Sequence, residues 1–366
     1  LLFSRSKTDR QARSRRPSDL GSWLGIIGFL ALGVGLLVNL GIAVFVALTA
    51  ATPAFPGAAD RMFLLIVLWG FVVPVAWAYG TRFVTIFLGL SEPNHRAARW
   101  LCPALVILVL AALTQEFWLA DALALAGTLI AIHALRIFRP SHRAPKLVGV
   151  YRHYPAFIRL SYGWLLTGAL LGVMADIWSN SPGLGGASRH AVTVGFIATL
   201  IFALAPRLLP AFLSGRELFS SALMAASLWV LTLGCALRVT SEAVAYSSPS
   251  GAAWSILPLS AFLELIAVIV FVINMGFTLK QSTPAWFEPA SATAELPLHW
   301  YIASFPETKS ILINAGLKTL ASVRDAPRSL SLGEAARADD VAVEEVLERL
   351  RGFFRNRQPR RRGRNA

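Results

Sequence analysis

The chain has 366 residues, 55% hydrophobic and 15% charged, with a net charge of +14 and a mean hydropathy of +0.59. A soluble domain carries about 25% charged residues, so this chain lacks the polar surface of one. Cys102 and Cys235 lie in separate apolar runs with no CxxC, which excludes a disulfide framework and a cysteine zinc site.

Residues 1–20 form a basic arm with Arg5, Lys7, Arg10, Arg13, Arg15 and Arg16. The apolar run that follows is far longer than a signal-peptide core and reads as a membrane span. Eight runs reach the length needed to cross a bilayer as helix: 22–50, 61–90, 100–116, 118–138, 157–177, 188–213, 218–245 and 254–280. The expected fold is all-α, a polytopic transmembrane bundle over 21–280 with a small helical domain behind it. Only Glu116, Phe117 and Trp118 separate the third and fourth runs, so a tight hairpin joins them.

The positive charge is distributed by topology. Arg96 and Arg99 follow the second span; Arg136, Arg139, Arg143, Lys146, Arg152 and Arg159 surround the connection from fourth to fifth; Arg216 follows the sixth. The other side carries little more than Arg61, Arg189 and Arg238. This asymmetry predicts that both termini are cytoplasmic, as in a multi-pass protein of the bacterial inner membrane. It also removes the need for a nucleic-acid partner. The basic segment 356–366 is expected to be disordered and to contact anionic headgroups.

The segments 69–90 (WGFVVPVAWAYGTRFVTIFLGL) and 194–215 (VGFIATLIFALAPRLLPAFLSG) align without gaps at an offset of 125. Gly70-Phe71 then meets Gly195-Phe196, and Arg82 meets Arg207. The fourth span aligns loosely with the eighth, setting His133 opposite Asn274. Four spans per unit is an even number, so the halves, about 21–140 and 155–280, are expected to be parallel repeats. Arg82 and Arg207 have two readings: snorkelling to the headgroups, or guanidiniums that grip an anion such as haem propionates.

Other polar groups stand in the apolar runs. His133 lies about 22 Å from the outer end of the fourth span at 1.5 Å per residue, whereas His190 opens the sixth close to the outer surface. That difference disfavours one haem ligated by both. Each imidazole is a candidate axial ligand of a separate haem, or a copper ligand. Glu264, deep in the eighth span, is read as a proton or ion relay or as a structural hydrogen-bonding group. Asn39 and Asn274 are expected to bond between helices. Glu116, Asp121, Asp176 and Glu242 gather at outer helix ends, where solvation is the default, with a hydrophilic vestibule beside His190 as the alternative. No Walker A, dinucleotide fingerprint, HExxH or serine triad is present.

After Lys280 a Pro/Ala/Ser linker, 281–296, leads to a helical segment, 297–355, in which Ser331 and Glu334 have capping-box spacing. A cytoplasmic protein partner for this small domain is one expectation.

Residues 189–210 (RHAVTVGFIATLIFALAPRLLP), together with 69–90, resemble the NnrS family of membrane proteins, the HAxTVG start and downstream Arg being the most specific part. The tail, through FPETKSILINAGLKTL and SLSLGEAARADDVAVEEVLERL, resembles the DUF1858 domain. The first resemblance implies a haem- and copper-containing protein of nitric oxide stress and denitrification. Larger members carry about twelve spans and an early WHxHE-type motif that this chain lacks. Haem therefore rests on His190 and His133, and copper loses the ligands that motif supplies. The tail lacks the cysteines of some DUF1858 relatives and cannot perform thiol chemistry. The competing reading is a secondary transporter on parallel repeats, with Arg82 and Arg207 flanking an anionic substrate and Glu264 coupling protons.

Overall fold

The computed structural model describes residues 20–49, 54–81, 83–142, 150–178, 182–212, 218–246, 251–280, 292–296, 298–305, 307–317, 320 and 330–357. Most of the basic arm and the linker, the end of the basic tail, and Arg82 lie outside these residues. Eight described helices are long and apolar enough to span a membrane. They are α1 Leu20–Thr49, α2 Gly57–Gly80, α3 His95–Leu113, α4 Phe117–Leu135, α5 Tyr154–Ile177, α6 Gly183–Leu209, α7 Ser221–Ala245 and α8 Gly251–Lys280. No β-strand occurs among the described residues. The chain is an all-α, multi-pass membrane bundle, as the apolar runs predicted.

Two boundaries differ from the hydropathy reading. α2 stops at Gly80 rather than near 90; a separate short helix, Phe83–Phe87, follows, and Gly89 at φ 62° ends it. α6 starts five residues earlier than expected, because its first turns are built from Gly and Ser, which carry no hydropathy signal. The α3–α4 hairpin is as tight as predicted, with Gln115 in the left-handed region at φ 62°.

Contacts cluster into two units: Leu1–Ala203 with Ala222–Phe271, and Leu204–Ser221 with Val272–Ala366. In the first, α1 packs on α2, α2 on α3, α3 on α4, α4 on α5 and α5 on α6. α1 exposes Phe29, Leu30, Leu37 and Leu48, the apolar face expected where lipid rather than protein is the neighbour. The inner contacts use small residues so that backbones approach closely. Gly168 and Gly172 of α5 form a small-xxx-small face: a Cβ on Gly168 would lie 2.6 Å from Val192 Cγ2, and one on Gly172 would lie 2.8 Å from Asp121 Oδ1. Ser188 Oγ donates to the Gly168 carbonyl at 2.7 Å and locks α5 to α6.

α2 and α6 are not continuous α-helices. Ile66–Val72 and Ala191–Ala198 are π-helical. The offset of 125 that aligns the two sequence motifs also aligns the starts of these segments, Ile66 with Ala191. Each contains the shared glycine at its closest contact. A Cβ on Gly70 would lie 3.1 Å from both Ala31 Cβ and Val109 Cγ2, and one on Gly195 would lie 2.6 Å from Trp164 Cγ. π-turns inside α-helices leave backbone groups unevenly paired and are frequent at functional sites. Here Thr199 Oγ1 donates at 3.3 Å to the Val194 carbonyl, five residues back.

In the second unit Asn274 accepts from Ser220 N at 3.0 Å and donates to the Ser220 carbonyl at 2.9 Å, while Thr278 Oγ1 accepts from Phe219 N at 3.0 Å. Asn274 thus ties α8 to the segment before α7 rather than to another helix. The tail contributes α9 Leu298–Ser304, α10 Thr308–Asn314, α11 Leu332–Ala338 and α12 Val343–Arg357. They share a core that includes Leu298, Tyr301, Leu312, Leu332, Val346, Leu350 and Phe354. Ser331 and Glu334 form the predicted reciprocal capping box at the start of α11. Tyr301 exchanges hydrogen bonds with the Thr293 backbone, and burial pushes its hydroxyl pKa up to about 12.

Candidate functional site

Two polar clusters stand among the helices of the first unit. In the later part of the bundle, His190 is followed directly by the π-helical segment and sits seven residues into α6, about 10 Å along its axis. Its Nε2 lies 3.2 Å from both carboxylate oxygens of Glu264 on α8. Against an ionised carboxylate Nε2 is the donor, and in the neutral imidazole Nδ1 then keeps the lone pair. The side chains are 25% and 18% exposed, partly sheltered yet reachable. Glu264 is held in place by Gly234 of α7, where a Cβ would lie 2.9 Å from Glu264 Cγ. Trp164 packs on the cluster of Ala187, Ala191, Cys235 and Val239, and its buried indole N–H has no acceptor among the described residues.

In the first half, Arg61 stands one turn into α2. Its Nη2 donates to Asp121 Oδ2 of α4 at 2.7 Å and to Asp176 Oδ1 of α5 at 2.5 Å. Its guanidinium carbon lies 4.7 Å from the centroid of the Phe117 ring. The two carboxylates were expected to be solvated at helix ends. Instead their side chains are only 7% and 14% exposed, because the Gly172 face brings α4 and α5 together and Arg61 compensates the buried charge. Glu242 departs from solvation in the same way: it accepts from Arg238 Nε at 3.2 Å and packs against Gly186. Glu116, exposed, accepts from Trp118 Nε1 at 3.0 Å. A cavity of about 290 Å³ opens beside the Arg61 cluster, between Leu64, Trp69, Asp121, Gly172, Ser188 and Arg189. His190, the next residue after Arg189, does not line it.

The other predicted site residues lie elsewhere. His133 occupies the last turn of α4 with an exposed side chain, about 18 Å along the helix from Asp121. His190 and His133 are not brought together. Arg207 lies partly buried on the continuation of α6 within the second unit. Arg82 falls outside the described residues, so the matched arginine pair stays a sequence observation. Among the described residues, no three His, Cys, Asp or Glu side chains converge as metal ligands would.

Sequence reasoning missed Arg61 as a partner for Asp121 and Asp176. The available signal was an arginine one turn into a span with two aspartates at neighbouring helix ends, plus the GxxxG spacing of Gly168 and Gly172. No curated protein matches the chain. The family model described as NnrS protein matches residues 14–282, the whole of the membrane bundle and a little of the basic arm. The chain belongs to the NnrS family.

Proposed function

We propose that this NnrS-family protein binds haem in the membrane and takes part in the response to nitric oxide. The observation that carries the reading is the His190–Glu264 pair. A histidine that ligates a metal usually gives its other ring N–H to a carboxylate or carbonyl, which fixes the tautomer and strengthens the ligating nitrogen. Glu264 does this for Nε2 and presents Nδ1 as the ligating atom. The unpaired Trp164 indole offers a donor to a carboxylate-bearing cofactor at the same end of α6. Haem needs only one or two protein ligands, whereas a copper site built from protein groups needs about three. The residues present thus fit a single axial imidazole, not a three-ligand copper centre. His133 would serve, if at all, a separate centre. When bound, haem iron supplies an open coordination position for a diatomic gas.

The detergent-purified full chain, loaded with haemin, is expected to give a Soret band that His190→Ala removes or shifts while the helical circular dichroism stays unchanged. An unaltered band in His190→Ala, or no band in the wild type, would overturn the proposal. The same reading places the protein in the inner membrane with cytoplasmic termini, the basic 356–366 segment against anionic lipid, and the DUF1858-like tail available to a cytoplasmic partner. A fusion after residue 145 that is active only outside the cytoplasm would reverse that orientation and remove the tail from the anionic leaflet.

A further inference from the structure

The loop that carries the chain from the short helix Phe83–Phe87 into α3 encloses a cavity of about 610 Å³ against the end of α4. Its polar walls are Ser91, Glu92, Asn94, His95, Arg96 and Arg136. Arg136 ends α4 with its backbone in the left-handed region at φ 59°, where glycine is the usual residue and an L side chain is disfavoured. The side chain kept there has a use. Its Nη1 donates to Ser91 Oγ, which ties the loop to α4, and it makes no other side-chain hydrogen bond among the described residues.

The remaining groups are mostly donors. Asn94 spends its Oδ1 on the backbone N–H groups of Arg96 and Ala97, at 3.2 and 3.3 Å, so its amide NH2 is what it has left to offer. Arg96 and His95 are exposed, and neither side chain is bonded or ion-paired among the described residues. Glu92, also exposed, pairs with neither guanidinium. Two guanidiniums, a hydroxyl, an amide and an imidazole thus stand around one carboxylate. The net charge of this set is a single positive one, the complement of a phosphodiester, whose oxygens accept several charge-assisted bonds at once.

The position of the cavity selects the source of that phosphate. His95 is the first residue of the α3 span and Arg136 follows the last of α4, so the cavity lies where hydrocarbon gives way to headgroups. Trp100 and Phe138, a few residues beyond Arg96 and Arg136, are exposed. The Arg99 guanidinium carbon lies 5.4 Å from the Trp100 ring centroid. Exposed tryptophan beside arginine is the composition of a membrane interface, and the anion present at that level is a lipid phosphate.

We propose that this cavity binds the headgroup phosphate of an anionic phospholipid, with Arg96 and Arg136 as its charged contacts. The site is separate from the His190–Glu264 pair and from the basic 356–366 segment.

Thermal unfolding of the full chain in mixed detergent micelles tests this, with phosphatidylglycerol compared to phosphatidylcholine at equal lipid content and ionic strength. Choline neutralises its own phosphate, so phosphatidylglycerol is expected to raise the wild-type midpoint by about 3 °C over phosphatidylcholine. Arg136→Gly suits the left-handed backbone and removes only the guanidinium, and Arg96→Gln changes an exposed side chain. Each is expected to lose about half or more of the difference. Arg139→Gln removes the same charge from an exposed residue outside the cavity and keeps the difference. A wild type that unfolds alike in both lipids overturns the proposal. So does a difference that survives in either cavity variant, or one that falls equally in Arg139→Gln, since a diffuse positive surface would then suffice. Inorganic phosphate added to the phosphatidylcholine micelles is expected to do nothing; a rise matching that from phosphatidylglycerol makes the ligand a soluble anion and rejects the lipid. Should one cavity variant fail to fold, the other decides.

Discussion

The two halves of the bundle join their helices through different basic side chains. Each joins its second helix to its fourth by a pair of basic and acidic side chains: α2 to α4 by Arg61–Asp121, near the start of both, and α6 to α8 by His190–Glu264, with Glu264 near the middle of α8. A guanidinium keeps its proton at every relevant pH, so the first pair holds helices and extends to α5 through Asp176. An imidazole has a second nitrogen and an exchangeable proton, so the second pair leaves a ligating atom behind. The π-helical segments of the two halves start at matching positions, Ile66 and Ala191, and the halves differ in whether the basic group is spent on structure.

That contrast predicts unequal consequences. Arg61→Ala strands two buried carboxylates and is expected to cost about 2–4 kcal/mol, less than a fully buried pair because Arg61 itself is partly solvated. A detergent-phase unfolding midpoint close to that of the wild type would remove Arg61 from its holding role. Next come the glycines of the π-helical segments. Gly195→Ala forces a methyl to within 2.6 Å of the Trp164 ring and should cost about 1–3 kcal/mol, against under about 1 kcal/mol for Gly70→Ala, whose nearest neighbours are methyl groups at 3.1 Å. Equal effects would mean that the two segments are packed alike. The smallest effect belongs to Glu264→Gln, which keeps a hydrogen-bonding side chain beside His190 and should cost about 1 kcal/mol or less. Its readout is the haem spectrum, where loss of the orienting carboxylate weakens retention without unfolding. A stability loss as large as that of Arg61→Ala would make the second pair as structural as the first.

Much of the fold was legible because bilayer thickness imposes a length on apolar runs, and all eight spans were found that way. The start of α6 was misplaced because its first turns are rich in glycine, of which Gly183 and Gly186 pack against Glu242, and glycine carries no hydropathy signal. That error placed His190 two residues into the span rather than seven. Glu264 was legible as a residue needing a partner, but its partner was set by the α6–α8 contact, which no local pattern encodes. The Arg61 cluster was hidden for a related reason. Charges at helix ends are ordinarily solvated, and only the close approach at Gly172 turns two such aspartates into buried ones. The capping box of α11 was fully legible, since its partners are three residues apart and need no tertiary information.

The Arg61 bridge also imposes a timetable on biosynthesis. Asp121 lies 60 residues after Arg61 and Asp176 lies 115 after it. At a ribosome speed of about 5–20 residues per second, Arg61 waits roughly 3–12 s for its first carboxylate and twice that for the second. During that wait the start of α2 keeps a solvated charge and has no reason to settle deeply. The complete bridge, with both carboxylates, therefore forms only after α5 has been made.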